Sequence, residues 1–252
     1  MLSLTNKEIN LFARHLILED FTEKKQKILS RSQVTFVGMG GINSPIIIYL
    51  SYIGIKNFNI IDYDNVKISN LNRQIIYSQN DIGKKKVLCA KRFLKKINSK
   101  LKIRTYNAKI IKKNCNKLLS NSDLIVDGSD NWETMLIVND YCVKYNVPLL
   151  SASVAGYDGN IALFNNIPNK HLCLRCVFPI KKEIELPRCD TVGVFGTSAG
   201  VIGILSAHKI ANFLTSDKNE QFKSNIVYFN GKNSNFSEIE LSYNKNCKLL
   251  KL

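Results

Sequence analysis

Apolar positions recur along the chain with two alternating periods. Residues 6–14 and 20–30 carry helical spacing, and the "VTFVG" that follows is a short run of buried-strand type. Residues 44–54 are helical again, and "FNIID" at 58–62 reads as a second strand ending on a carboxylate, which completes a strand, helix, strand unit. A Lys-rich amphipathic helix is predicted over 84–97. A third strand follows in "KIRTYNAKI", a fourth in "DLIVDGSD" that breaks at Gly128, then a helix over 131–146 and the apolar run "VPLLSASV". After Gly159 the texture changes to "NIALFN", a Cys-rich loop, one long apolar helix and two strand-like runs, "SNIVYFNG" and "FSEIELSY". The predicted class is α/β, a Rossmann-like, mostly parallel sheet flanked by helices, with antiparallel strands in the C-terminal half. No linker or internal repeat interrupts the pattern, so a single domain is expected over 1–252, with a nucleotide-binding half at about 30–150 and a second half at about 151–252.

Composition narrows the class. Hydrophobic residues make up 45% and charged residues 22%, as in ordinary folded globular proteins. The net charge of +16 comes from scattered lysines, and no basic run is interleaved with stacking aromatics. A solvated basic surface is therefore favoured over a nucleic-acid site, although an acidic protein partner would still be attracted. Seven cysteines, an odd number with no secretory signal ahead of them, argue for a reducing, cytoplasmic setting and against a disulfide framework. The longest apolar segment, "GTSAGVIGILSAHKIANFL", is broken by Ser206, His208 and Lys209 and reads as a buried helix rather than a membrane span.

The run "VTFVGMGGINSP" raises the question of chemistry. In a strand-to-helix turn, Gly38, Gly40 and Gly41 let the backbone approach a phosphate, with the helix N-terminus supplying amide donors. Asp62 lies about twenty residues on, at the end of the second strand, where a carboxylate can bond both ribose hydroxyls. No G-x-x-x-x-G-K-[ST] run exists, so a Walker-type site is excluded. The stretch "SNLNRQIIYSQNDIGKKKV" then puts Asn70, Arg73, Gln74 and Lys86 where a triphosphate needs cations and amides and a nicotinamide does not. The fourth strand ends "VDGSDN", with Asp127 and Asp130 at the carboxyl edge of the sheet. A carboxylate there can hold Mg²⁺ against phosphates, and Asp130 can equally serve as an N-cap for the next helix.

With these residues in view, the chain resembles the ThiF/MoeB/HesA family of sulfur-carrier adenylyltransferases, relatives of the ubiquitin-activating enzymes. The likeness runs nearly end to end through "FARHLIL", "GMGGINSP", "IIDYDNVKISNLNRQ", "DIGKKK", "VDGSDN", "CLRC" and "CDTVGVFGTSAGVIG". The resemblance implies ATP-dependent activation of the C-terminal glycine carboxylate of a small ubiquitin-like sulfur carrier of ThiS or MoaD type. An acyl adenylate would form with release of pyrophosphate, in thiamine or molybdopterin biosynthesis. It also implies a homodimer in which Arg14 reaches the neighbour's ATP, with the second half of the chain serving carrier binding and dimer formation. By the same resemblance Asp62 binds the ribose, Asn70, Arg73 and Lys86 hold the phosphates, and Asp130 binds Mg²⁺. Two alternatives remain: a relative that binds a ubiquitin-like protein without activating it, and an NAD-dependent Rossmann oxidoreductase that leaves Arg73, Lys86 and Asp130 without work.

The sequence departs from the family pattern in two places. The usual G-x-G-G-[LI]-G run is here "GMGGIN", and Asn43 in place of the last glycine is expected to crowd the sheet or tilt the helix. Many relatives hold zinc with two C-x-x-C pairs. Cys173 and Cys176 match the first, but the second offers only Cys247, with Leu250 where another cysteine is expected. Three thiolates fall short of the four ligands of a closed site, and His171 is a candidate fourth. Cys189 matches the cysteine with which some relatives form a thioester or acyl disulfide. Cys89, Cys115 and Cys142 read as packing residues.

Overall fold

Strands covered on both faces read as near-continuous apolar runs, because neither side of the pleat meets water. Val34, Phe36, Phe58, Ile60, Leu124 and Val126 are accordingly sealed from solvent. The computed structural model describes residues 3–166, 172–178, 192–216, 225–241, 247 and 249. Among these, the strands are β1 (Gln33–Val37), β2 (Asn57–Ile61), β3 (Lys102–Tyr106), β4 (Leu124–Asp127), β5 (Leu149–Ala155), β6 (Asp158–Phe164), β7 (Asn225–Asn230) and β8 (Asn235–Glu240). They form one sheet in the order β3-β2-β1-β4-β5-β6-β7-β8. Pairing is parallel from β3 to β5 and antiparallel from β5 to β8.

The helices are α1 (Asn6–Leu11), α2 (Ala13–Leu16), α3 (Glu23–Arg31), α4 (Asn43–Tyr52), α5 (Lys86–Ile97), α6 (Cys115–Leu119), α7 (Trp132–Tyr145), α8 (Leu174–Val177) and α9 (Gly196–Thr215). On one face Phe36, Phe58 and Ile60 join Ile46 and Leu50 of α4 and Ile202 and Ile210 of α9 in the larger core. On the other, Ile61 and Ile125 pack with Val138, Tyr141 and Cys142 of α7. The long apolar helix predicted from sequence is thus α9, laid across α4, β5 and β6. No described helix is long and apolar enough to cross a membrane.

Some details differ from the periodic reading. The helix expected over 6–14 is two short ones, interrupted at Phe12, whose buried ring stacks on His15 at 5.6 Å. The third strand stops at Tyr106 rather than running to 110. Beyond it, Asn114 accepts the Ile111 amide and donates to the Lys109 carbonyl, closing a turn in place of a ladder.

The charge is also less scattered than the composition implies. Fourteen of the 36 cations and none of the 20 acids fall within residues 82–122, so the rest of the chain is close to neutral. These residues form α5, β3 and α6 around one end of the sheet. β3 is an edge strand, and the exposed Lys102 and Arg104 on it disfavour pairing with another chain's edge.

The sheet order reverses direction at β1, whose neighbours are β2 on one side and β4 on the other. In open α/β sheets ligands bind at the carboxyl ends of the strands at such a point. The glycine turn, Asp62 and the loop after β4 all emerge there.

Candidate active site

β1 ends at Val37 and delivers the chain into the turn that precedes α4. Gly38 has φ +77, and a Cβ there would come within 3.1 Å of the Gly128 carbonyl oxygen, so both backbone conformation and space require glycine. No described residue accepts the amide protons of Gly40 and Gly41, which leaves two donors beside the N-terminus of α4. From the other side the Tyr77 hydroxyl donates to the Met39 carbonyl at 3.0 Å and fixes the turn.

Asp62 follows β2 directly. Its Oδ2 accepts the Met39 amide at 2.7 Å and its Oδ1 the Asp64 amide at 2.8 Å, which ties the carboxylate to the glycine turn. Burial pushes this carboxyl above the ordinary range, and the Lys86 charge draws it partly back. Lys86, the first residue of α5, is only 6% exposed. Its Nζ lies 3.0 Å from Asp64 Oδ2 and 4.0 Å from Asp62 Oδ2. Asp64 escaped the sequence reading, although its spacing two residues past Asp62 was the available signal.

These groups face a cavity of about 260 Å³. The structure brings Gly38, Gly40, Gly41, Asp62, Arg73, Gln74, Lys86 and Asp130 to its walls. Arg73 is oriented by its Nη1, which donates to the Ser69 carbonyl at 2.8 Å and to Asn72 Oδ1 at 3.0 Å. The Gln74 Oε1 is buried without a described partner. Lys109, which sequence reasoning passed over, also reaches the cavity and lies 3.3 Å from Glu133. Asp130 is exposed at the mouth. Asn131, not Asp130, caps α7 by accepting the Thr134 amide at 2.8 Å, so the Asp130 carboxylate has no capping role.

Two expected residues lie elsewhere. Asn70 is buried and accepts the Lys67 amide at 3.0 Å, closing a short turn rather than lining the cavity. Arg14 is exposed on α2 and is not among the cavity residues of its own chain. Cys189 and His171 lie outside the described residues. Cys89 and Cys142 are buried and Cys115 is half-buried.

Asp127 differs from the reading that paired it with Asp130, being fully buried behind the loop. Its Oδ1 accepts the Ser129 amide at 3.0 Å, while Oδ2 has no described partner. Burial pushes its carboxyl from 3.8 up to about 6, against the opposing hydrogen bonds of Ser129. The folded chain then holds this proton where the unfolded chain has released it. Stability is therefore lost as pH rises from about 4 through about 6. Asp127→Asn, which cannot titrate, is expected to gain about 2 kcal/mol relative to wild type between pH 4 and pH 7, read by urea unfolding at both values. A difference that does not change with pH would contradict the assignment.

The three matched cysteines also meet. Cys173 Sγ lies 3.6 Å from Cys176 Sγ and 3.8 Å from Cys247 Sγ, and all three fall within 4.8 Å of one another. Zn–S bonds of about 2.3 Å in a tetrahedron place sulfurs about 3.8 Å apart, so the spacing fits three corners of a zinc site. Bound there, zinc would crosslink the segment at 173–176 to Cys247. The described residues supply no fourth ligand. Protein purified without added metal is expected to carry one zinc per chain and to lose it in Cys247→Ser, by elemental analysis. Metal-free protein with three freely titrating thiols would rule the site out.

Adenylyltransferase and sulfurtransferase MOCS3 of Dictyostelium discoideum is 33% identical over 240 residues, covering 95% of this chain and 56% of that protein. The chain thus spans about half the length of the MOCS3 relatives it matches. Sulfur carrier protein adenylyltransferase of Thermus thermophilus is 30% identical over 248 residues, covering 96% of this chain and 91% of the relative. The crystal structure of E. coli MccB with ATP shares the fold, with a TM-score of 0.81 at 22% identity over 96% of this chain and 75% of that one. The family model described as "ThiF family" matches residues 12–249, and the chain belongs to the ThiF family.

Proposed function

We propose that this protein is an ATP-dependent adenylyltransferase that activates the C-terminal glycine carboxylate of a small ubiquitin-like sulfur carrier of ThiS or MoaD type. The observation that carries the reading is the buried Lys86, held against Asp62 and Asp64 beside a glycine turn with unclaimed amides, in a cavity whose walls also include Asp130. A dehydrogenase needs no such set of charges. The relatives named as adenylyltransferases, that of Thermus thermophilus for a sulfur carrier protein, support the same reading.

The residues fit the chemistry. The carrier carboxylate oxygen attacks the α-phosphorus, the bond from that phosphorus to the β-phosphate oxygen breaks, and pyrophosphate leaves. The attacking group is already an anion, so no general base is required, and positioning with charge neutralisation does most of the work. Asp62 would take the ribose hydroxyls, and Lys86, Arg73 and the Gly40 and Gly41 amides would hold the phosphates. Mg²⁺, held by Asp130, would supply neutralisation of the leaving pyrophosphate. Asn70 acts through the backbone turn that presents Arg73. Arg14, away from its own cavity, suits the site of a second copy in a homodimer.

The test is ATP–pyrophosphate exchange with ThiS-type and MoaD-type carriers added separately. Exchange stimulated by one carrier would assign both the reaction and the thiamine or molybdopterin pathway. Tight carrier binding without exchange would instead indicate a non-activating relative, and tight NADH binding without ATP binding would overturn the reading.

A further inference from the structure

Asn43, expected to crowd the sheet or tilt the helix, is 1% exposed at the start of α4. Its Nδ2 donates to the carbonyls of Val37 at 3.1 Å and Gly38 at 2.7 Å. The Val37 carbonyl also accepts the Gly128 amide at 3.1 Å, so one oxygen joins the glycine turn to the loop that carries Asp130. The Asn43 amide lies directly against Gly128. A Cβ at 128 would come within 2.8 to 2.9 Å of its Nδ2, Cγ and Oδ1, closer than packed side chains approach. The Oδ1 has no described partner, an unfavourable state for a buried acceptor that a glycine or alanine at 43 would avoid. Filling space does not account for such an amide, whereas bracing two loops does.

We propose that Asn43 and Gly128 are an interlocked pair that sets the spacing between the phosphate-holding turn and the Asp130 loop, with Asn43 a positioning residue for Mg-ATP. The inference rests on the adenylyltransferase reading. The two donors of Asn43 pin the end of β1 to the first turn of α4, so the Gly40 and Gly41 amides cannot drift from Asp62. The missing side chain at 128 gives the amide its seat, and the seat in turn fixes how far Asp130 stands from the turn. Each residue is matched to the other, so changing one alone jams or loosens the site.

The experiment measures Asn43→Asp, Asn43→Gly, Gly128→Ala and the double variant Asn43→Gly/Gly128→Ala by calorimetric binding of Mg-ATP, melting temperature and the Mg²⁺ concentration at half-maximal exchange. Asn43→Asp keeps the shape but turns both donors into a charge facing two carbonyls. It is expected to weaken Mg-ATP binding and raise the Mg²⁺ requirement about tenfold or more. Gly128→Ala should do the same, and the double variant should return to within about threefold of Asn43→Gly, because the methyl then occupies the vacated seat. Asn43→Ser, smaller and with one donor, replaces Asn43→Asp if the latter does not fold, with a smaller shift in the same direction.

A Gly128→Ala protein that binds as wild type does, or a double variant no better than Gly128→Ala, would overturn the interlock. Melting temperatures that fall with no change in Mg-ATP binding or Mg²⁺ requirement would overturn the positioning role. Absence of exchange in wild type with either carrier would count against the adenylyltransferase reading alone, because binding and melting still report on the pair.

Discussion

Lys86→Met is expected to abolish carrier-dependent ATP–pyrophosphate exchange and to destabilise the fold by about 3–5 kcal/mol at neutral pH, the range for a buried ion pair stripped of one partner. Both side chains of the Lys86–Asp62 pair are 7% exposed, so neither charge can turn to water. With the ammonium gone, Asp62 keeps its two amide donors but has no opposing charge within its burial site. Its carboxyl, already raised by burial, then rises further and takes up a proton, so the loss of stability shrinks as pH falls. Guanidinium unfolding at pH 5 and pH 8 measures this. Asp62→Asn combined with Lys86→Met removes both charges and should recover most of the stability without recovering exchange, which separates the structural from the chemical role. Wild-type stability in Lys86→Met would show that neither carboxylate depends on the ammonium for the fold.

The strands around that pair were legible for a simple reason. Val34, Phe36, Phe58 and Ile60 face one core and Val37 and Ile61 the other, so the runs stay mostly apolar and only the buried Thr35 and Asn59 interrupt them. Asp62 was legible because a carboxylate at the end of such a run has few structural uses. Places where adjacent residues compete for one role were not legible. Asp130 and Asn131 are both good N-cap types, and only the backbone shows that Asn131 takes the Thr134 amide. The break at Phe12 was hidden in the same way, since 6–14 keeps helical spacing while the buried ring ends the first helix. Asn70 sits in a polar stretch that looks like a phosphate loop, but its side chain accepts a local amide, a bond that leaves no trace in periodicity. Long-range partners lay beyond reach altogether. Nothing in local pattern says that Asn43 rests on Gly128, and Cys247 meets Cys173 across 74 residues.

The separation of roles at 130 and 131 sets up the second large effect. Asp130→Ala is expected to lower exchange by about 10²–10³-fold, the usual loss when one electrostatic contact to the reacting phosphates is removed. Stability should stay within about 0.5 kcal/mol of wild type, because the side chain is exposed and the helix cap belongs to Asn131. Its removal also takes a negative charge away from Asp127, lowering that buried carboxyl slightly, in the direction of greater stability at neutral pH. If the lost contact is a cation ligand, raising Mg²⁺ should recover part of the exchange while the Lys86 variant stays inactive. ATP affinity in the absence of divalent cation should be unchanged or tighter, since a carboxylate near phosphates repels them until a cation intervenes. An Asp130→Ala protein as active as wild type would remove the carboxylate from the reaction and leave Lys86, Arg73 and the turn amides to carry the phosphates alone. One that binds ATP more weakly without Mg²⁺ would mean that the loop, not the carboxylate, had been damaged.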